Sequence, residues 1–158
     1  NGGTTQALGV LTGVMYQDST QKKPVWLNYW PGSGGVSVDT NYPVRVYVAD
    51  NPNQLFQVSS DASLTNRATA VATIFANTDL GTSARTGSTD TGASNSQASV
   101  ANVAVTATLP LRIVGIVDDA ANSDFTVAGI PLKVRLNAHF NAGTRRFDSQ
   151  TTADSLGI

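Results

Sequence analysis

Few residues in this chain have the type and spacing that chemistry requires. The 158 residues contain no cysteine, which excludes disulfides, thiolate metal sites and cysteine nucleophiles. The single histidine, His139, lies in Asn137-Ala138-His139-Phe140 near the end of an alternating apolar segment. No serine or metal-ligand partner stands at a telling spacing from it, so a hydrogen-bonded structural role is expected. Asp118, Asp119 and Asp124 could gather carboxylate oxygens around a hard cation such as calcium. Their spacing does not match an EF-hand loop, and a solvated hairpin loop accounts for them better. Asp39 and Asp50 flank the Val44–Val48 stretch and read as turn residues. The glycine-rich stretches lack a lysine at the phosphate-binding position, and no G-x-S-x-G elbow occurs. No catalytic, cofactor-binding or metal-ligating residue is therefore expected, and no cofactor.

Binding is a different matter. Trp26-Leu27-Asn28-Tyr29-Trp30-Pro31 is the densest aromatic cluster. Trp26, Tyr29 and Trp30 could form a platform for a carbohydrate or a protein, or could fill a core. At least two rings open on one surface would favour the sugar. The basic pairs Lys22-Lys23 and Arg145-Arg146 are too short and too separate for a nucleic-acid footprint. The net charge of −1 gives no electrostatic reason to seek nucleic acid or anionic lipid. No apolar run approaches the roughly 20 residues of a membrane helix.

The elements that must position these residues are strands. Apolar residues recur with a period near two. Val44, Val46 and Val48 alternate with Arg45 and Tyr47, and Leu132, Val134 and Leu136 alternate with Lys133, Arg135 and Asn137. Val25, Leu27 and Tyr29 alternate with Trp26, Asn28 and Trp30; Val103 and Val105 alternate with Ala104 and Thr106. Leu8 to Tyr16 is apolar but carries Gly9 and Gly13, which points to bulges or close backbone approach. Leu111, Ile113, Val114, Ile116 and Val117 form a denser run, expected as a central strand buried on both faces.

Turn chemistry separates these segments. Pro31-Gly32-Ser33-Gly34-Gly35 is a turn cluster, and Asp50-Asn51-Pro52-Asn53 reads as a tight turn. The latter is expected to join the valine strand to Leu55, Phe56 and Val58 as a hairpin, with Val44, Val46 and Val48 in the core and Arg45 and Tyr47 outward. Around 63–69 a short helix or irregular turn is expected, with Ser63 as a candidate cap, followed by a strand near 70–76. Short strands with regular turns predict an all-β fold, a small antiparallel β-barrel or β-sandwich with long loops. The expected organisation is a single β domain over 1–150 and a weakly structured tail at 151–158. Within the domain, residues 81–99 form a Ser/Thr/Gly-rich loop. With only alanine methyls to bury, that loop is expected to order only against a partner or another subunit.

Charged residues make up 13% of the chain, about half the usual share. A surface built mainly of Ser, Thr, Asn, Gln and Gly is weakly protected against self-association, which suits a protein covered by neighbours.

Six strings taken in order carry a resemblance: LGVLTGVMYQD (8–18), NYWPGSGG (28–35), VRVYVADNPNQLFQV (44–58), ANTDLGTSARTGSTDTGAS (76–94), ATLPLRIVGIVDDAANS (107–123) and LKVRLNAHF (132–140). Together they resemble a family of tailed-bacteriophage virion structural proteins encoded near the major capsid protein. The family pattern has a V-x-V-x-DDPN-x-x-F-x-V strand, a later T-x-x-L-P-L-R-I-x-G strand and a closing Asn-Asn-His-like triplet. Thr108 to Gly115 fits the second, and Asn137-Ala138-His139 is a variant of the third. The pattern also has a further N-terminal β segment with a Gly-Asp-Pro-Val-like strand, which has no counterpart in these 158 residues. The resemblance implies a non-enzymatic decoration (cement) protein on the capsid surface of the virion, made in the host bacterial cytoplasm. Its partners would be the major capsid protein and further copies of itself, a trimer being favoured, with neither nucleic acid nor membrane. It carries over no catalytic residue. The alternative is a carbohydrate-binding module on a virion or fibre, using the Trp26, Tyr29 and Trp30 patch.

Overall fold

A computed structural model describes residues 8–32, 34–81, 87–88, 90–106, 108–117, 119–120 and 124–137. Among them are eight strands and one short helix, so the fold is all-β. The described residues form two compact units, one built around 9–50 with those of 87–95, the other around 51–81 with those from 96 to 137.

The first unit carries a three-stranded antiparallel sheet of β1 (Val10–Gln17), β2 (Pro24–Leu27) and β3 (Arg45–Ala49), in the order β2-β1-β3. A bulge lies in the Leu8–Tyr16 segment, where Gly9 and Gly13 pointed to bulges or close backbone approach. Leu11 pairs with Val48 and Gly13 with Tyr47, leaving Thr12 as the extra residue of a bulge. The Thr12 hydroxyl donates to the Tyr47 carbonyl at 3.2 Å. The turn cluster also forms, with Gly35 N–H donating to the Gly32 carbonyl at 3.0 Å.

The second unit holds β4 (Phe56–Ser60), α1 (Arg67–Ala72), β5 (Asn77–Thr78), β6 (Gln97–Ala98), β7 (Leu111–Ile116) and β8 (Pro131–Leu136). The strand order is β5-β7-β8-β4-β6, antiparallel except for the β4–β6 pair. Alternation in β8 is as expected: Leu132 and Val134 are buried and Lys133 is exposed. Register places Leu111, Ile113 and Ile116 opposite Leu136, Val134 and Leu132, and Phe56 and Val58 opposite Val134 and Leu132. This single apolar face is the core, joined by Leu64, Ala70, Ala98, Phe125 and Ile130. Each large side chain buried there contributes about 1.5–3 kcal/mol.

The dense run at 111–117 is not a central strand buried on both faces. β8 holds the centre, and a bulge at Val114 explains the density. The extra residue resets the alternation, so Ile113 and Ile116, three apart, both reach the core face.

Other expectations are corrected. β3 and β4 form no hairpin; β3 bonds to β1, whereas β4 bonds to β8 and β6. The turn between them is as read, with the Asn51 side chain accepting from Asn53 N–H at 2.9 Å. The helix starts later than expected because Asn66, not Ser63, caps it: its side chain accepts from Thr69 N–H at 2.9 Å. No strand follows at 70–76. Thr73 N–H bonds back to the helix and residues 73–76 turn. Val103 to Thr106 is not a strand either, for Ala104 makes a lone bridge to Asn77 and Val105 is left 92% exposed.

The 81–99 segment is held by its own chain where it is described. Gly87 bridges Ser94 around a tight turn, and Asn28 donates to the Thr91 carbonyl at 2.8 Å. Gln97 and Ala98 add to β4, Ala98 is fully buried, and the Thr78 hydroxyl donates to the Ser99 carbonyl. Residues 82–86 and 89, and the tail 151–158, lie outside the described residues.

Candidate interaction surface

Residues paired in antiparallel register share a face of the sheet. One face of β2-β1-β3 therefore presents Val10, Gly13 and Met15 from β1, Trp26 from β2, and Arg45, Tyr47 and Ala49 from β3. Gly13 sits in mid-strand, where glycine costs about 0.5–1 kcal/mol relative to alanine. The Trp26 indole fills the space that a Gly13 side chain would take. This ring remains 56% exposed, and Tyr47, on the other side of Gly13, is 44% exposed. Toward the far end of the same face lies a half-open pocket of about 160 Å³, lined chiefly by Met15, Gln17, Pro24, Tyr42, Pro43 and Arg45.

The opposite face carries Leu11, Val14, Tyr16, Val25, Leu27, Val46 and Val48. Val14 and Tyr16, in the central strand, are buried, and Trp30 packs edge-on against Tyr16 with ring centres 6.1 Å apart. Val46 and Val48 do share this face, as alternation requires, and Val44 precedes the strand. They are not core, however: Val46 is 57% exposed and Val44 is also open. β3 is an outer strand of a narrow sheet, and of these valines only Val48 is half-buried.

The aromatic cluster divides accordingly. Trp26 lies on the Met15 side and Trp30 against Tyr16 on the other, with Tyr29 half-buried. Trp26 and Tyr47 are exposed rings that share a face, and Tyr42, also exposed, lines the pocket toward its far end. Tyr47 was readable only as an outward residue, since the register that sets it beside Gly13 depends on the bulge at Thr12.

The carboxylates are engaged in local structure. Asp39 is largely buried and accepts from Asn41 N–H at 3.1 Å, from the Asn41 amide at 2.8 Å and from the Lys22 ammonium at 3.2 Å. The Asn41 N–H, with help from Lys22, holds its pKa below the ordinary 3.8. The loop bearing Asp119 and Asp124 joins the paired strands β7 and β8. There Asp124 accepts from the Thr126 hydroxyl at 2.6 Å and its N–H at 2.9 Å, and these bonds lower its pKa. Among the described residues no three histidine or acidic side chains gather in a metal-binding group. Asp118, His139 and Arg145-Arg146 lie outside the described residues.

One exposed residue was not singled out from sequence. Phe75 follows α1 with φ of 71° and is 68% exposed. Left-handed backbone at a non-glycine residue costs about 1–2 kcal/mol. Its N–H donates to the Ile113 carbonyl at 2.8 Å, and Ile113 N–H donates to the Ala76 carbonyl at 2.9 Å. Pairing with β7 thus imposes the conformation. The absence of glycine from Thr73-Ile74-Phe75-Ala76 was the only available sign.

Comparison with protein-family models, curated proteins and solved structures gave no match.

Proposed function

We propose that this chain is a non-enzymatic decoration, or cement, subunit that binds the outer surface of a tailed-bacteriophage capsid and stabilises the shell through subunit contacts. The observation that carries the reading is the β2-β1-β3 sheet, which keeps large apolar side chains in solvent on both faces, Val46 on one and Trp26 and Tyr47 on the other. Single exposed apolar residues are ordinary, but adjacent ones on neighbouring strands mark surfaces that other molecules cover. The low charge content removes the usual barrier to such contacts. The resemblance in six ordered strings supplies the virion context. The partners proposed are the major capsid protein and further copies of this chain, with a trimer suited to three-fold positions of the shell. Modest affinity per subunit suffices, because linked copies act with avidity. Co-sedimentation with emptied, expanded capsids tests the reading: the purified chain pellets with them to saturation, and a chain that stays in solution overturns it.

A second reading, a carbohydrate-binding module on a virion or fibre, draws support from Trp26 and Tyr47 being open on one face. It replaces Tyr29 and Trp30 with Tyr47 in the platform. Retention on a polysaccharide matrix that Trp26→Ala abolishes, without loss of capsid addition, would favour it.

A further inference from the structure

We propose that two copies of this chain join edge to edge, with β3 of one pairing antiparallel to β3 of the other about a two-fold axis at Tyr47. This contact goes beyond the reading above and depends on neither the capsid nor the three-fold arrangement.

β3 is an outer strand with one open side. β1 bonds to one side of it, and among the described residues no other segment bonds to the other. The Tyr47 carbonyl accepts from the Thr12 hydroxyl of β1, so it points toward β1. Backbone groups alternate sides along a strand, so the N–H and C=O groups of Val46 and Val48 point away from β1. The devices that usually guard an edge are sparse here. β2, the other edge of this sheet, begins at Pro24 just after Lys22-Lys23, whereas β3 holds no proline, no lysine and no bulged residue of its own. Exposed apolar side chains flank the open edge on both faces, Val46 on one and Tyr47 on the other. A molecule resting on one face leaves the other bare. An added strand covers both and satisfies the backbone between them.

The sequence of β3 favours a second copy as that strand. Arg45-Val46-Tyr47-Val48-Ala49 places a valine on either side of Tyr47. An interface about a two-fold axis must be self-complementary, and this strand is. Antiparallel pairing centred on Tyr47 sets Tyr47 against Tyr47, Val46 against Val48 and Arg45 against Ala49, so every residue of β3 has a partner. Centring on Val46 or Val48 leaves one end of the strand without one. The Val46–Val48 pairs are the ones that exchange hydrogen bonds, through the groups already directed outward. Tyr47 then meets its copy at the closer, non-hydrogen-bonded spacing, where paired aromatic residues stabilise a sheet. Charge agrees with this order. The strand starts at Arg45 and is followed by Asp50, so antiparallel pairing brings opposite charges together and keeps the two arginines about 13 Å apart along the strand.

The absence of cysteine makes the register directly measurable, because one introduced thiol has no competitor. Sedimentation velocity of the full chain, without capsids, shows the parent passing from monomer to dimer as concentration rises. Under mild oxidation Tyr47→Cys forms a covalent dimer, since the two side chains at this position lie within reach of a disulfide. Arg45→Cys, on the same face, links to itself at least about tenfold more slowly, yet links readily when mixed with Ala49→Cys. Val46→Lys guards the edge and weakens dimerisation by about tenfold or more, without lowering the melting temperature of the dilute monomer. A parent chain that stays monomeric, Arg45→Cys alone linking as fast as Tyr47→Cys, or Val46→Lys dimerising like the parent would each overturn the proposal. Because no shell is present, such a result would leave the capsid reading standing.

Discussion

The indole of Trp26 lies across the α-carbon of Gly13, one strand over and diagonal to its register partner Met15. Ring and glycine are complementary: the missing side chain makes room, and the ring shields backbone that glycine would leave bare. Gly13→Val pushes the indole off the sheet and destabilises the chain by about 1–3 kcal/mol. In a Trp26→Ala background the same change costs little, because the valine then meets open space. Urea unfolding of the four chains measures the coupling. Equal cost of Gly13→Val in both backgrounds would show that the ring does not rest there.

The two valine rows behave in opposite ways. Val46→Asp places its carboxylate in solvent on an outer strand and leaves stability within about half a kcal/mol of the parent. Val134→Asp buries an unpaired carboxylate in the core between Ile113 and Phe56 and costs several kcal/mol, enough to prevent folding. Thermal melting of both variants decides the facing. Unfolding caused by Val46→Asp would restore that residue to a core.

Asp39 makes stability depend on acid. Its folded pKa is lowered, so its contribution is fully present above the ordinary carboxylate value of 3.8 and is lost as pH falls through the lower folded value. Asp39→Asn keeps an acceptor for Asn41 but loses the ion pair with Lys22. The variant is less stable than the parent at neutral pH, and its stability falls less steeply below about pH 4. Parallel pH profiles for the two chains would rule out this role for Asp39.

What was legible in the sequence follows a physical division. Alternation in Leu132, Val134 and Leu136, and the side-chain bonding of Asn51, are local, and both forms appear as read. Alternation also put Val44, Val46 and Val48 on one face, but whether a face is covered depends on which strands flank it. That is a matter of sheet order, invisible in a single segment. Bulges hide in the same way: one extra residue at Val114 turned a half-buried strand into an apparently continuous apolar run. Gln97, Ala98 and Ser99 had no apolar signal because backbone pairing to β4 and a bond from Thr78 hold them in place. The surface now offered for interaction was half legible. Trp26 was readable as a candidate, whereas its neighbour Tyr47 and the exposed Phe75 arise from register and from a conformation imposed by β7.

The central claim is that this chain is completed by, and strengthens, a capsid surface. Scanning calorimetry of emptied, expanded capsids, with and without the purified chain, tests it most directly. The account predicts saturable addition and a higher shell melting temperature once the sites are filled, as binding to the folded assembly alone requires. A shell that melts at the same temperature at every ratio, with the chain melting separately, would contradict it.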